Sequence, residues 1–148
     1  MKQSTIYHQE IKVYAGGVFD MFHYGHVRYL ENAKKLGDIL IVGLLTDEGT
    51  ARYKPRKPIM TYLERWEVIR ALKCVDYIVR QDDTDPTDTL RRLKIEHNWI
   101  FDIMCRGTDY KKISQGTKFI EANGGKVVRI PYTEGISSSE IKKRINNV

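Results

Sequence analysis

Five short apolar runs recur along this chain, separated by stretches whose apolar residues repeat every three or four positions. Strands that alternate with helical stretches return to the sheet through crossovers, so they lie parallel and the helices cover them. The runs are IKVYAGGVF (11–19), DILIVGLL (38–45), DYIV (76–79), IFDIMC (100–105) and KVVRI (126–130). DILIVGLL is apolar at both alternations, as a central strand buried on two faces requires. The expected fold is α/β: a Rossmann-like, doubly wound parallel sheet of about five strands with helices on both faces.

The intervening segments carry helix signals. From Gly25 to Leu36, Val27, Leu30, Ala33 and Leu36 are spaced by three along one face, with Gly37 as the expected C-cap. A loop through Pro55 and Pro58 leads to a helix capped by Thr61, whose apolar positions are Leu63, Trp66, Ile69 and Leu72. The acidic loop QDDTDPTD opens a helix with Pro86 near its first turn, a further helix ends at Gly124–Gly125, and SSSEIKKRI pairs Ser137 with Glu140 at capping-box spacing. With no repeat, low-complexity segment or linker, residues 1–148 read as one domain.

No run approaches the roughly 18 apolar residues of a membrane span, and MKQSTIYHQEIKVY lacks a secretory apolar core, so a cytoplasmic location is expected. Cys74 and Cys105 sit in apolar stretches and read as buried free thiols. The net charge of +6 suits nucleic acid, an anionic membrane surface or small phosphorylated substrates. The basic residues are scattered apart from RYKPRKP (52–58), and neither an RNA-binding aromatic signature nor zinc-finger spacing occurs. Small phosphates are therefore the expected partners, with no nucleic acid and no membrane insertion.

The segment GGVFDMFHYGHVRYL joins the first strand to the first helix, where an open parallel sheet binds ligands. Gly16 and Gly17 permit close backbone approach, and a helix starting near Gly25 offers free N–H groups and a positive dipole end to an anion. His23 and His26 flank that start and can donate hydrogen bonds to phosphate oxygens. A plain tight turn with two incidental histidines fits the same residues, and a metal site lacks a nearby third ligand.

GGVFDMFHYGH resembles the Gly-x-Phe-Asp-x-x-His-x-Gly-His signature of the cytidylyltransferase-like nucleotidyltransferases. These include glycerol-3-phosphate, phosphocholine and phosphoethanolamine cytidylyltransferases, heptose-phosphate nucleotidyltransferases and archaeal FAD synthases. LIVGLLTDE (40–48), ERWEVIRALKCVD (64–76) and YTEGISSSEI (132–141) resemble further family blocks, in family order. The resemblance implies that the phosphate of an alcohol monophosphate displaces pyrophosphate from the α-phosphate of CTP or ATP. It places His23 and His26 on the α- and β-phosphates, with the amides around Gly17 and Val18 in support, and Phe19 beside the nucleotide. Lys54 matches a lysine bridging the incoming phosphate and the triphosphate, with Arg56 and Lys57 as substitutes. Arg65 matches a helix arginine that holds the acceptor phosphate or triphosphate. Thr133, Gly135, Ile136, Ser137 and Ser138 match a loop that meets base and phosphates. Asp47 matches a carboxylate for a substrate hydroxyl or magnesium, and Asp20 is expected to orient its loop. His8 and His97 carry no motif. Mg2+ with the triphosphate and a homodimer are implied by the family; which residues would hold a metal is not.

Two departures bear on the substrate. Tyr132 stands where cytidylyltransferases carry an arginine, leaving Arg106 or Arg129 to compensate. RGTDYKK (106–112), with Thr108 in place of an acidic residue, and GTKFIEANGGKVV (116–128) are more similar to the ATP-using heptose-phosphate enzymes. KVYAGGVFDMFHYGH and TEGISSSEI are closer to the phospho-alcohol cytidylyltransferases, and RKPIM resembles a loop of archaeal FAD synthases. CTP with glycerol 3-phosphate is the first expectation, an ATP-dependent heptose-phosphate enzyme the alternative, and a catalytically silent nucleotide-binding module a third.

Overall fold

The computed structural model describes residues 8–108 and 115–148. Five strands form one sheet: β1 (Lys12–Gly17), β2 (Ile39–Leu45), β3 (Tyr77–Gln81), β4 (Ile103–Gly107) and β5 (Lys126–Ile130). Every pairing is parallel and the spatial order is β3-β2-β1-β4-β5. The chain therefore winds outward from β1 to β3, returns beside β1 as β4, and winds outward again. β1 is the point where the direction of winding reverses.

That reversal puts helices on both faces. Val13 and Ala15 of β1 pack under Leu30 and Ala33 of α1 (Tyr24–Lys34) and Ile69 of α3 (Tyr62–Arg70). Tyr14, pointing the other way by strand alternation, packs with Leu90 and Leu93 of α4 (Thr87–His97) and Ile120 of α5 (Thr117–Ala122). The expected doubly wound α/β sheet of five strands is the observed one.

Several boundaries move. β1 stops at Gly17 rather than Phe19, because Phe19 turns into the left-handed region at φ 54°. A short α2 (Asp47–Ala51) follows β2, where no helix was expected; Thr46 caps it by accepting the Gly49 N–H at 3.0 Å. Gly37 is not the C-cap of α1, a role taken by Lys35. Its small size matters for a different reason: a β-carbon there would lie 2.7 Å from the Ile11 carbonyl oxygen. Ser137 caps α6 (Ser138–Asn146) by accepting the Glu140 N–H at 3.0 Å, while the Glu140 carboxylate turns toward Arg144. Cys74 is half-buried and Cys105 buried, both free. Among the described residues no helix is long and apolar enough to cross a membrane.

Candidate functional site

A cavity of about 460 Å³ opens beyond the carboxyl ends of the strands, at the reversal point on β1. Gly16, Gly17, His23 and His26 line its centre, Gln81 and Lys54 one side, and Arg106, Tyr132 and Ile136 the other. A second lobe of about 390 Å³ continues past His26 and Phe19.

The turn from β1 to α1 is held in an uncommon conformation. Phe19 and Met21 both have positive φ, at 54° and 47°, which costs a non-glycine residue free energy that surrounding contacts must offset. The Asp20 carboxylate accepts from Met21 N (3.0 Å), Ile59 N (2.8 Å) and Met60 N (2.9 Å), so it orients the loop as expected of it. The Asp20 carbonyl accepts from Ser138 Oγ at 2.8 Å, which ties the start of α6 to the same turn. Val18 O accepts from Arg65 Nη1 at 2.7 Å.

His23 is the N-cap of α1. Its Nδ1 accepts the Gly25 N–H at 3.1 Å, while His26 Nδ1 accepts the His23 N–H at 3.3 Å. The two imidazoles stack, centroids 3.8 Å apart and planes 20° from parallel. With each Nδ1 accepting a backbone N–H, each ring is neutral and carries its proton on Nε2. Burial drives the same result: it lowers the pKa of His23, and it takes His26 down to about 3, with His23 beside it adding to the effect. Two neutral Nε2–H donors therefore serve this cavity, and their tautomers are set by the helix start itself.

Arg65 is placed differently from its expected role. Its side chain is fully buried, and four of its N–H groups are engaged: Nε with Met60 O (3.1 Å), Nη1 with Val18 O and Leu45 O (2.7 and 2.8 Å), Nη2 with Asp47 Oδ1 (2.6 Å). It does not line the cavity. Asp47 is committed too, its other oxygen accepting from Tyr62 N at 3.3 Å. The pair joins the β1–α1 turn, the end of β2 and the loop before α3, because a guanidinium fork can meet several carbonyls at once where a lysine cannot.

The basic loop borders the cavity. Lys54 lines both lobes, and Arg56 and Lys57 line the second. Lys142 joins them there, a residue that sequence reasoning passed over. Its position three and four residues after Ser139 and Ser138 puts it on the same face of α6, and that spacing was the available signal. Thr133, Ile136, Ser137 and Ser138 all line the cavity, whereas Gly135, at φ 82°, serves the turn and does not. The Ser138 hydroxyl donates to Asp20 O, whereas Ser137 Oγ accepts from Glu140 N and keeps its own proton, so this helix start can offer an anion backbone N–H groups and the Ser137 O–H.

Tyr132 clasps the same turn, its hydroxyl donating to Ile136 O at 2.9 Å and its N–H to Thr108 Oγ1 at 3.1 Å. Of the two arginines expected to replace the family's missing charge, Arg106 lines the cavity and Arg129 does not. Residues 109–112 of the RGTDYKK segment lie outside the described residues.

A protein-held magnesium does not fit the donor set. Among the described residues the first lobe has no carboxylate, and in the second Asp20 already accepts three backbone N–H groups. No group of three metal-ligating side chains occurs among the described residues.

Comparison with known proteins accords with this geometry. A family model described as cytidylyltransferase-like matches residues 14–144, and the chain belongs to that family. It is 40% identical over 135 residues to the bifunctional protein HldE of Citrifermentans bemidjiense, covering 90% of this chain and 26% of that protein. The HldE protein of Syntrophotalea carbinolica is 36% identical with the same coverage. The chain thus spans about a quarter of the length of the curated relatives it matches. Among solved structures, the lipopolysaccharide core biosynthesis protein of Thermoplasma volcanium superimposes with a TM-score of 0.66 at 33% identity, covering 84% of this chain and 98% of that one.

Proposed function

We propose that this member of the cytidylyltransferase-like family is a nucleotidyltransferase that joins ATP to a sugar phosphate, foremost a heptose 1-phosphate, and releases pyrophosphate. The observation that carries the reading is the stacked pair His23 and His26, presenting two neutral Nε2–H donors beside a cationic lobe. The comparisons favour ATP and a heptose phosphate over the expected CTP and glycerol 3-phosphate. Identity to HldE proteins reaches 40%, and a structural neighbour at 33% identity is named as a lipopolysaccharide core biosynthesis protein. The resemblance of GTKFIEANGGKVV to heptose-phosphate enzymes points the same way. The phospho-alcohol reading keeps the support of TEGISSSEI and stands second.

In the proposed reaction an oxygen of the acceptor phosphate attacks the α-phosphorus, the bond from that phosphorus to the bridging oxygen breaks, and pyrophosphate leaves with the electron pair. The acceptor oxygen is already anionic at neutral pH, so no side chain need remove a proton. His23 and His26 donate to phosphate oxygens whose charge grows in the transition state. Gly17, Val18 and Phe19 contribute the backbone against which the phosphates lie. Lys54 spans the two lobes and so can approach both reactants, with Arg56, Lys57 and Lys142 neutralising the departing pyrophosphate. Arg65 and Asp47 act by positioning. The turn from Thr133 to Ser138 receives the base side of the nucleotide. Any magnesium would come with the triphosphate rather than be held by side chains, and would supply charge neutralisation. A homodimer belongs to the proposal and is checked by light scattering.

The test is pyrophosphate release from ATP or CTP paired with heptose 1-phosphate, glycerol 3-phosphate, phosphocholine, phosphoethanolamine or FMN. ATP with the heptose phosphate is expected to be fastest. Preference for CTP reverses the choice, and no release with any pair sinks the enzymatic reading.

A further inference from the structure

The side of the cavity over β2 and β3 has a buried polar floor. Gln81, the last residue of β3, is 2% exposed yet lines the cavity. Its Oε1 accepts from the Tyr14 hydroxyl at 2.6 Å, and its Nε2 donates to Asp83 O at 2.7 Å. These partners fix the amide's orientation: the nitrogen must face the Asp83 carbonyl, so the oxygen faces Tyr14. Tyr14 is completely buried, and burial raises its pKa, which keeps the hydroxyl protonated.

Two glycines make room for this pair. A β-carbon on Gly43 would overlap the Tyr14 hydroxyl, and one on Gly16 would stand 2.7 Å from Gln81 Oε1. Gly16 lines the cavity together with His23 and His26, so Oε1 lies against backbone that borders the same cavity. An amide oxygen has two lone pairs, and Tyr14 occupies one. The second can accept only from an O–H or N–H, and it repels a phosphate oxygen.

We propose that Gln81 is a specificity-determining residue whose Oε1 accepts a hydroxyl of the acceptor, selecting a polyhydroxylated sugar phosphate over a phosphate ester with no donor at that point. The inference rests on the nucleotidyltransferase reading above. That reading assigns the nucleotide to the opposite side, around Tyr132 and Thr133, and leaves this side to the acceptor. A pinned acceptor discriminates well, because an analogue lacking the hydroxyl leaves a buried oxygen unpaired.

The experiment compares the parent with Tyr14→Phe, Gln81→Asn and the double variant Tyr14→Phe/Gln81→Met. The double variant removes both polar partners together and so avoids a stranded hydroxyl. Gln81→Asn keeps the amide but withdraws it by one methylene, and serves if the double variant does not fold. Steady-state constants are measured for ATP and for the sugar phosphate. Loss of a buried hydrogen bond to a neutral hydroxyl is expected to raise the acceptor KM about tenfold in the double variant and in Gln81→Asn. The ATP KM should stay within twofold, and Tyr14→Phe alone should lose less. Acceptor KM unchanged in both Gln81 variants, or a rise in the ATP KM instead, overturns the inference while the function stands. A parent inactive toward every sugar phosphate overturns the function as well, and that is seen before any variant is made.

Discussion

Replacing Arg65 tests the account of the site most directly, because its two possible roles make opposite demands. Arg65→Met removes a fully buried guanidinium and leaves Val18 O, Leu45 O, Met60 O and one Asp47 oxygen without their donor. Breaking a buried ion pair on one side costs about 3–5 kcal/mol. Asp47 keeps a quarter of its side-chain exposure and the Tyr62 N–H, so the lower end applies to that part. The stranded carbonyls cost roughly 1–3 kcal/mol each where water cannot reach them. A total loss of at least about 4 kcal/mol is expected, a large share of the ~5–15 kcal/mol that holds a domain together. Urea unfolding of the unliganded chain measures it, with Arg65→Met/Asp47→Asn as the second arm of a double-mutant cycle. Removing both charges should recover part of the loss, since Asp47 is then no longer stranded. An arginine that held only a ligand would leave unliganded stability within about 0.5 kcal/mol of the parent. That result would refute the positioning role.

Other outcomes follow from the same geometry. His26→Ala should lower turnover by two orders of magnitude or more while costing about 1 kcal/mol of stability, the scale of one lost hydrogen bond; pyrophosphate release and urea unfolding read the two separately. Because the folded state holds His26 near pKa 3 and the unfolded state near 6.5, unfolded chains bind the extra proton between those values. Stability should therefore be full above pH 6.5 and fall as pH drops, by up to about 1.4 kcal/mol per pH unit from this group. Urea midpoints at pH 7, 6 and 5 check this, and His26→Ala should flatten the slope. Lys142→Ala should weaken ATP binding several-fold, with the deficit shrinking as salt rises, and leave the melting temperature unchanged; calorimetric titration at two salt concentrations decides.

Much of the fold was legible because its signals are local. The threes of Val27, Leu30 and Ala33, the caps at Thr61 and Ser137, and the doubly apolar run before Thr46 are relations between residues a few positions apart. The histidine turn was legible for the same reason, since backbone N–H groups of that single turn set the tautomers of His23 and His26. α2 was missed because five residues are too short to show a period.

What the chain's order by itself determined about this protein is therefore the alternation that makes a parallel sheet and the histidine pair at its reversal point. Tertiary structure alone decided how the charges are used. Arg65 reads as an accessible helix arginine, yet it is buried against carbonyls contributed by three separate segments. Gln81 reads as the end of a strand, yet it is pinned by Tyr14, 67 positions away, and faces the cavity. Lys54 and Lys142, far apart in sequence, line one lobe in a fold where Ser138 at the start of α6 is tied to the Asp20 carbonyl. Periodicity reports which face of an element is apolar, whereas a polar side chain's role depends on which distant backbone groups the packed fold leaves in need of a partner.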